Sequence, residues 1–260
     1  MVYFYNNILF KLYKKVEIIA VPNIWTYLNG LSAMTVCFIG YLIGFVALIR
    51  RFRKKNKVLT NLSIFGFSIG TFYLDITISF FTVLITGENL VDPLISGYIA
   101  FFGVMPTVIV GVRLSLKYFA PKMEKIILWF AILITPFYYI ILFGIPLILG
   151  ESNLILGGFV DEISLLVKHQ ARIFLWLFVS FLLLLSIGLL GGGFFNFSRK
   201  LEGTKRKRGF QISIGFVIFG IGNLIDMTLP ASMETTIALV PTRIALAIAY
   251  WLIYKGFLSV

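Results

Sequence analysis

The sequence predicts an all-α fold: a polytopic membrane bundle of seven transmembrane helices, N-terminus outside and C-terminus cytoplasmic. Three observations carry this expectation. Seven apolar stretches each approach the roughly 20 residues a helix needs to cross a bilayer. The apolar fraction is 59% and the charged fraction 13%, with a mean hydropathy of +0.97, which leaves too little polar surface for a domain facing water. The connections also alternate, basic on one side and acidic on the other, and the Lys/Arg bias of short loops sets orientation.

Taken in order, the spans are expected at Leu31–Ile49, Leu62–Ile85, Ile95–Leu116, Ile126–Leu149, Ile173–Phe195, Phe210–Leu229 and Ile237–Tyr254. Arg50, Arg51, Arg53, Lys54, Lys55 and Lys57 separate the first two. Lys117, Lys122 and Lys125 follow the third, and Arg199, Lys200, Lys205, Arg206, Lys207 and Arg208 follow the fifth. Lys255 follows the last. Glu88, Asp92, Glu151, Asp161, Glu162 and Glu234 mark the opposite side. The basic side is therefore cytoplasmic, and the protein belongs in the cell membrane as a multi-pass protein in contact with the lipid bilayer.

Two stretches lie outside this scheme. Residues 1–26 carry Lys11, Lys14 and Lys15 among Tyr3, Phe4, Tyr5, Phe10, Tyr13 and Trp25, which suits an external amphipathic segment in the membrane interface. Residues 27–260 then form the seven-helix domain. The longest external connection, Gly150–Arg172, begins with Gly157 and Gly158. It continues through Ile163, Leu165, Leu166 and Val167, as an amphipathic helix, an early start of the fifth span, a lid or a plain connector. Small residues four apart, Gly40/Gly44, Gly66/Gly70, Gly188/Gly192 and Ala245/Ala249, predict close helix approach within the chain. Pro106, Pro136, Pro146 and Pro241 fall in or near spans and predict kinks.

Composition narrows the function. The net charge of +12 sits mostly in the cytoplasmic loops, so it serves topology, with no nucleic-acid partner expected. Cys37 is the only cysteine, which excludes an intramolecular disulfide and a cysteine-based metal cluster. His169 is the only histidine and lies in an external loop, so neither a metalloprotease site nor a Ser–His dyad is expected. Gly191, Gly192 and Gly193 lack the lysine of a phosphate-binding loop. The last span holds no interior lysine for a retinal Schiff base. We expect no catalysis, no metal and no cofactor.

Ionisable residues inside hydrocarbon are costly, roughly 2.5–3.5 kcal/mol each on insertion scales, and mark functional candidates. Asp75 lies near the middle of the second span, Asn223 and Asp226 in the outer part of the sixth, and Arg243 about two turns into the seventh. Arg113, near the cytoplasmic end of the third, can snorkel. Arg243 can reach Asp75 or Asp226 if both helices flank the seventh, and its planar fork of donors suits a carboxylate. Asp75, Asn223, Asp226 and Arg243 are thus the candidate ligand site or charge switch, a permanent structural ion pair being the competing reading. Arg50, Arg51, Arg53, Lys54, Arg199, Lys200, Lys205, Arg206, Lys207 and Arg208 are candidates for contact with anionic lipid or a cytoplasmic partner.

The stretch Ile214-Gly215-Phe216 through Gly222-Asn223-Leu224-Ile225, then Pro241 and Tyr250-Trp251-Leu252-Ile253-Tyr254-Lys255, resembles the N-terminal seven-helix sensor region of prokaryotic histidine kinases and diguanylate cyclases. The third span, Tyr98 to Tyr118 around Pro106, is similar to it as well. The resemblance implies a prokaryotic receptor-like sensor for a small external ligand, acting in signal transduction. With no output domain before Val260, it would signal through a separate cytoplasmic or membrane partner. A transporter or channel component using Asp75, or a structural subunit of a membrane complex, are the alternative readings.

Overall fold

In the computed structural model, residues 23–89, 93–144, 156–160, 166–171, 173–229 and 233–258 are described. The described residues are helical apart from one short hairpin and the turns: α1 Ile24–Lys54, α2 Lys57–Phe72, α3 Leu74–Thr86, α4 Pro93–Phe102, α5 Val104–Phe119 and α6 Pro121–Tyr139 come first. After these come a π-helical turn Ile140–Gly144, β1 Leu156–Val160, β2 Val167–Ala171, α7 Ile173–Leu185 and a second π segment Ser186–Gly192. The last helices are α8 Gly193–Arg199, α9 Gly203–Thr228 and α10 Met233–Leu258. Among the described residues six helical runs are long and apolar enough to cross a membrane, and the pair α2–α3, bent by 45°, adds a seventh if it is one span. The protein is thus a multi-pass helical membrane protein.

Helix α1 starts where Asn23 caps it, its side chain accepting from the Thr26 amide at 3.0 Å. Residues 24–26, expected in the interfacial segment, therefore already belong to α1, while residues 1–22 of that segment lie outside the described residues. Buried positions Gly30, Ala33, Cys37, Gly40, Gly44 and Ala47 recur at three- and four-residue steps, so one stripe of α1 faces the bundle. Lys55 adopts a left-handed conformation (φ 49°) that stops α1, and the Asn56 side chain accepts from Val58 N at 2.9 Å to start α2. A two-residue turn thus reverses the chain.

The glycine pairs on these two helices meet. A Cβ on Gly66 would lie 2.5 Å from Gly44 N and 2.8 Å from Gly40 O, and one on Gly40 would lie 2.6 Å from Gly70 N. Backbone packs directly on backbone there, a contact only glycine permits. Gly215 and Ala249 pack similarly between α9 and α10. Gly188 and Gly192 depart from the expectation: a Cβ on either meets nothing within 4 Å. They fall in the π segment, whose widened turn turns them away from neighbouring helices.

Proline explains the break between α4 and α5. Pro106 has no N–H, so the Phe102 carbonyl four residues earlier loses its helical donor. The Tyr139 hydroxyl donates to Phe102 O at 3.0 Å, and the Tyr138 hydroxyl donates to Phe101 O at 2.6 Å. Tyr139 on α6 thus answers the carbonyl that Pro106 orphans, as lipid-embedded backbone requires, and Tyr138 holds the residue before it. Tyr138 is buried and Tyr139 half-exposed. Tyr138→Phe is expected to cost about 0.5–1.5 kcal/mol, the net worth of one hydrogen bond at a buried site, and Tyr139→Phe, at a more exposed one, less. Thermal melts in detergent would show this ordering, and equal small effects from both variants would contradict it.

The connection before the fifth span is not helical where it is described. Strands β1 and β2 pair antiparallel, with Leu156 opposite Ala171 and Val160 opposite Val167. This corrects the expected amphipathic helix or early span: Val167-Lys168-His169-Gln170-Ala171 pairs backbone to backbone with Leu156-Gly157-Gly158-Phe159-Val160. The hairpin packs against α3, α4 and α7, and Leu166 just before β2 is buried.

Candidate functional site

Arg243 is 3% exposed within α10, a position where a lone guanidinium would be strongly unfavourable. Neighbouring helices compensate it. Its Nη2 donates to Asp226 Oδ1 of α9 at 3.2 Å. Its Nη1 donates to the Asn29 carbonyl of α1 at 3.0 Å, to the Asn29 side-chain oxygen and to Ser32 Oγ at 3.4 Å. The Tyr73 ring lies beneath the guanidinium, 5.6 Å from its carbon to the ring centroid. Nε is buried without a hydrogen-bond partner among the described residues. One cation therefore ties α1, α9 and α10 together against the bend between α2 and α3.

The expected alternatives for Arg243 are thus resolved in favour of Asp226. Helix α10 packs chiefly on α9 and α1, so the first span, rather than the second, supplies its other neighbours. The break after Phe72 brings Tyr73 to Arg243, and Asp75 faces a different helix. Ser96 of α4 donates to Asp75 Oδ2 at 2.6 Å, and Asp75 is fully buried. Asp75 and Arg243 are two separate polar centres.

A cavity of about 140 Å³ begins at the ion pair. Asn29, Tyr73, Asn223, Asp226 and Arg243 form its polar end. Along α9, Asp226, Asn223, Phe219 and Phe216 line it at steps of three, four and three residues, one helical face changing from charged to aromatic. Val104, Val108 and Gly111 of α5 form another wall, and Val179, Leu183 and Leu190 a third. Leu166, beside the hairpin, also lines it, which places the connection before α7 against the site. The hydroxyls in the middle bond to their own helices: Thr107 donates to Gly103 O at 2.9 Å and Ser186 to Leu183 O at 2.8 Å. Asn223 does the same, its Nδ2 donating to Phe219 O at 2.8 Å. The body of the cavity is therefore apolar and only one end is charged.

The π segment contributes to this shape. Its Ser186 and Leu190 line the cavity, and Ser213 of α9 donates to the Gly191 carbonyl at 2.7 Å. A widened helical turn that leaves carbonyls without their usual donors is thus secured by the facing helix.

The basic residues occupy the opposite ends of the same helices. Arg50, Arg51, Arg53, Lys54, Arg199, Lys200, Lys205, Arg206 and Lys207 are exposed, and Arg208 is half-buried. Arg51 lies over Phe52 at 5.9 Å and Arg206 over Phe210 at 5.6 Å. Beneath them Tyr118, Phe119, Phe194 and Phe257 form an aromatic plug. Arg113 is exposed and shares a shallow cleft with Lys57, Lys117 and Glu124. Among the described residues no three metal-ligating side chains converge.

Sequence reasoning missed Asn29, Ser32 and Tyr73. Asn29 precedes the expected start of the first span at Leu31. Its spacing of three from Ser32, on the stripe that continues through Val36 and Gly40, was the available signal. Tyr73 carries no charge and nothing in its neighbours announces a break. No family model, curated protein or solved structure matches this chain.

Proposed function

We propose that this is a receptor-like seven-helix membrane protein, N-terminus outside and C-terminus cytoplasmic. It takes a small external ligand into the cavity at Arg243 and reports it through the basic inner loops to a separate partner. No catalytic step is assigned to it. One observation carries the reading: the ion pair at the polar end of the cavity joins α1, α9 and α10, and α1 and α9 carry the two largest basic clusters at their other ends. A ligand that competes for Arg243 must prefer one arrangement of these helices, which is the condition for a signal. The resemblance to prokaryotic sensor regions agrees with this. The transporter reading has less behind it, since Asp75 is not among the residues lining the cavity and is held by Ser96.

The test uses spin labels at Arg53→Cys and Lys205→Cys in a Cys37→Ala background, in nanodiscs. Occupation of the cavity, or its mimic Arg243→Gln, is expected to change the distance between the labels by a few ångström. A distance distribution that stays fixed under both conditions would end the receptor reading. The same cysteines are expected to resist membrane-impermeant maleimide in intact cells, whereas Glu88→Cys reacts. The reverse pattern would invert the orientation.

A further inference from the structure

Resting on that reading, we propose that the cavity selects a small neutral aromatic molecule with one hydroxyl group, of the phenol class. Four features of the site point to it.

Size comes first. The cavity volume of about 140 Å³ is close to that of an apolar protein cavity known to hold benzene, so one ring with small substituents suits it. The lining supplies the second feature: Phe65, Phe72, Phe101, Phe216 and Phe219 surround the space, and aromatic edges and faces favour another ring over an alkyl chain.

Charge is the third feature. Arg243 and Asp226 already cancel, so a carboxylate would bring a second negative charge beside Asp226 in a region poorly screened by solvent. An ammonium would meet Arg243 in the same way. A neutral head group suffers neither penalty. The fourth feature is the orphaned donor. Arg243 is one of the residues lining the cavity, and its Nε–H is buried with no partner among the described residues. A hydroxyl oxygen can accept from Nε while its proton is donated to an Asp226 carboxylate oxygen, so one group answers both charged residues.

No other polar end is offered, because Thr107, Ser186 and Asn223 donate to their own backbones. Such a ligand would loosen the Arg243–Asp226 bond at the polar end and leave the aromatic plug below untouched.

The decisive experiment titrates p-cresol, toluene and benzoate against the purified protein in nanodiscs at pH 7. Binding is followed by thermal shift and by the Arg53–Lys205 label distance in the same samples. p-Cresol is expected to bind at least about tenfold more tightly than either comparison, the factor expected for a hydrogen bond to a charged group. Gly111→Leu serves as the blocking variant. A Cβ there meets only Leu190 at 3.5 Å and Phe65 at 3.9 Å, so the added side chain enters the cavity while the ion pair stays intact. It is expected to abolish the p-cresol shift.

Equal binding of toluene, tighter binding of benzoate, or a p-cresol effect that survives Gly111→Leu and so reflects partition into lipid, would each overturn the proposal. Benzoate moving the labels would sink the phenol class and keep the receptor reading. Saturable p-cresol binding with the label distance unchanged would do the opposite.

Discussion

Replacing Arg243 by leucine is expected to be among the most damaging single changes in this protein. It leaves the Asp226 carboxylate, 13% exposed at its side chain, without its guanidinium, and removes the donor shared by Asn29 and Ser32. Breaking one side of a buried pair costs about 3–5 kcal/mol, mainly because the surviving charge stays buried alone. In a chain of this size that corresponds to a fall in melting temperature on the order of 10 °C. The double variant Arg243→Leu/Asp226→Leu is expected to recover more than half of the loss, since it removes both charges. Arg243→Lys recovers less, because an ammonium cannot present a planar fork to two helices at once. A double variant no more stable than Arg243→Leu alone would show that packing, and not charge, dominates the position.

The second large effect is expected at Gly66. An added methyl would sit within 3 Å of the Gly44 and Gly40 backbones, and these atoms cannot rotate away. Helices α1 and α2 must separate, at a cost of about 1–3 kcal/mol for a single methyl and more for leucine. Gly188→Ala makes the opposite change at a position where a Cβ meets nothing within 4 Å. There the gain in helix propensity, up to about 1 kcal/mol, is free to appear as stability. Parallel melts of the two alanine variants would therefore move in opposite directions. Two downward shifts of similar size would mean that the close approach of α1 and α2 is not what fixes their packing.

The spans were legible because hydropathy over 20 residues is a property of solvent preference, which the bilayer enforces on every helix separately. Orientation within the bundle was partly legible: Gly40, Gly44, Gly66 and Gly70 marked a contact that the structure places between α1 and α2. The partner choice of Arg243 was not. Nothing local distinguishes Asp75 from Asp226, and the outcome turns on a helix break at Tyr73 that no proline or glycine announces. Ser96 was invisible as a partner for the same reason, since a serine in a membrane helix usually bonds to its own backbone, as Ser186 does. The hairpin was misread because Ile163 to Val167 has the apolar spacing of a helix. Its pairing depends on Leu156–Val160, which carries too little alternation to stand out.

The Gly40/Gly44 contact with Gly66/Gly70 has a mechanical consequence. It lies near the middle of α1, a 31-residue helix, with Asn29 on one side and Arg53 on the other. At 1.5 Å per residue the two arms are each roughly 15–20 Å long. A clasp of backbone on backbone resists sliding, so α1 can pivot there like a beam on a fulcrum. A push on Asn29 toward the bundle then swings Arg53 away from it by about the same distance, reversed in direction and neither amplified nor diminished.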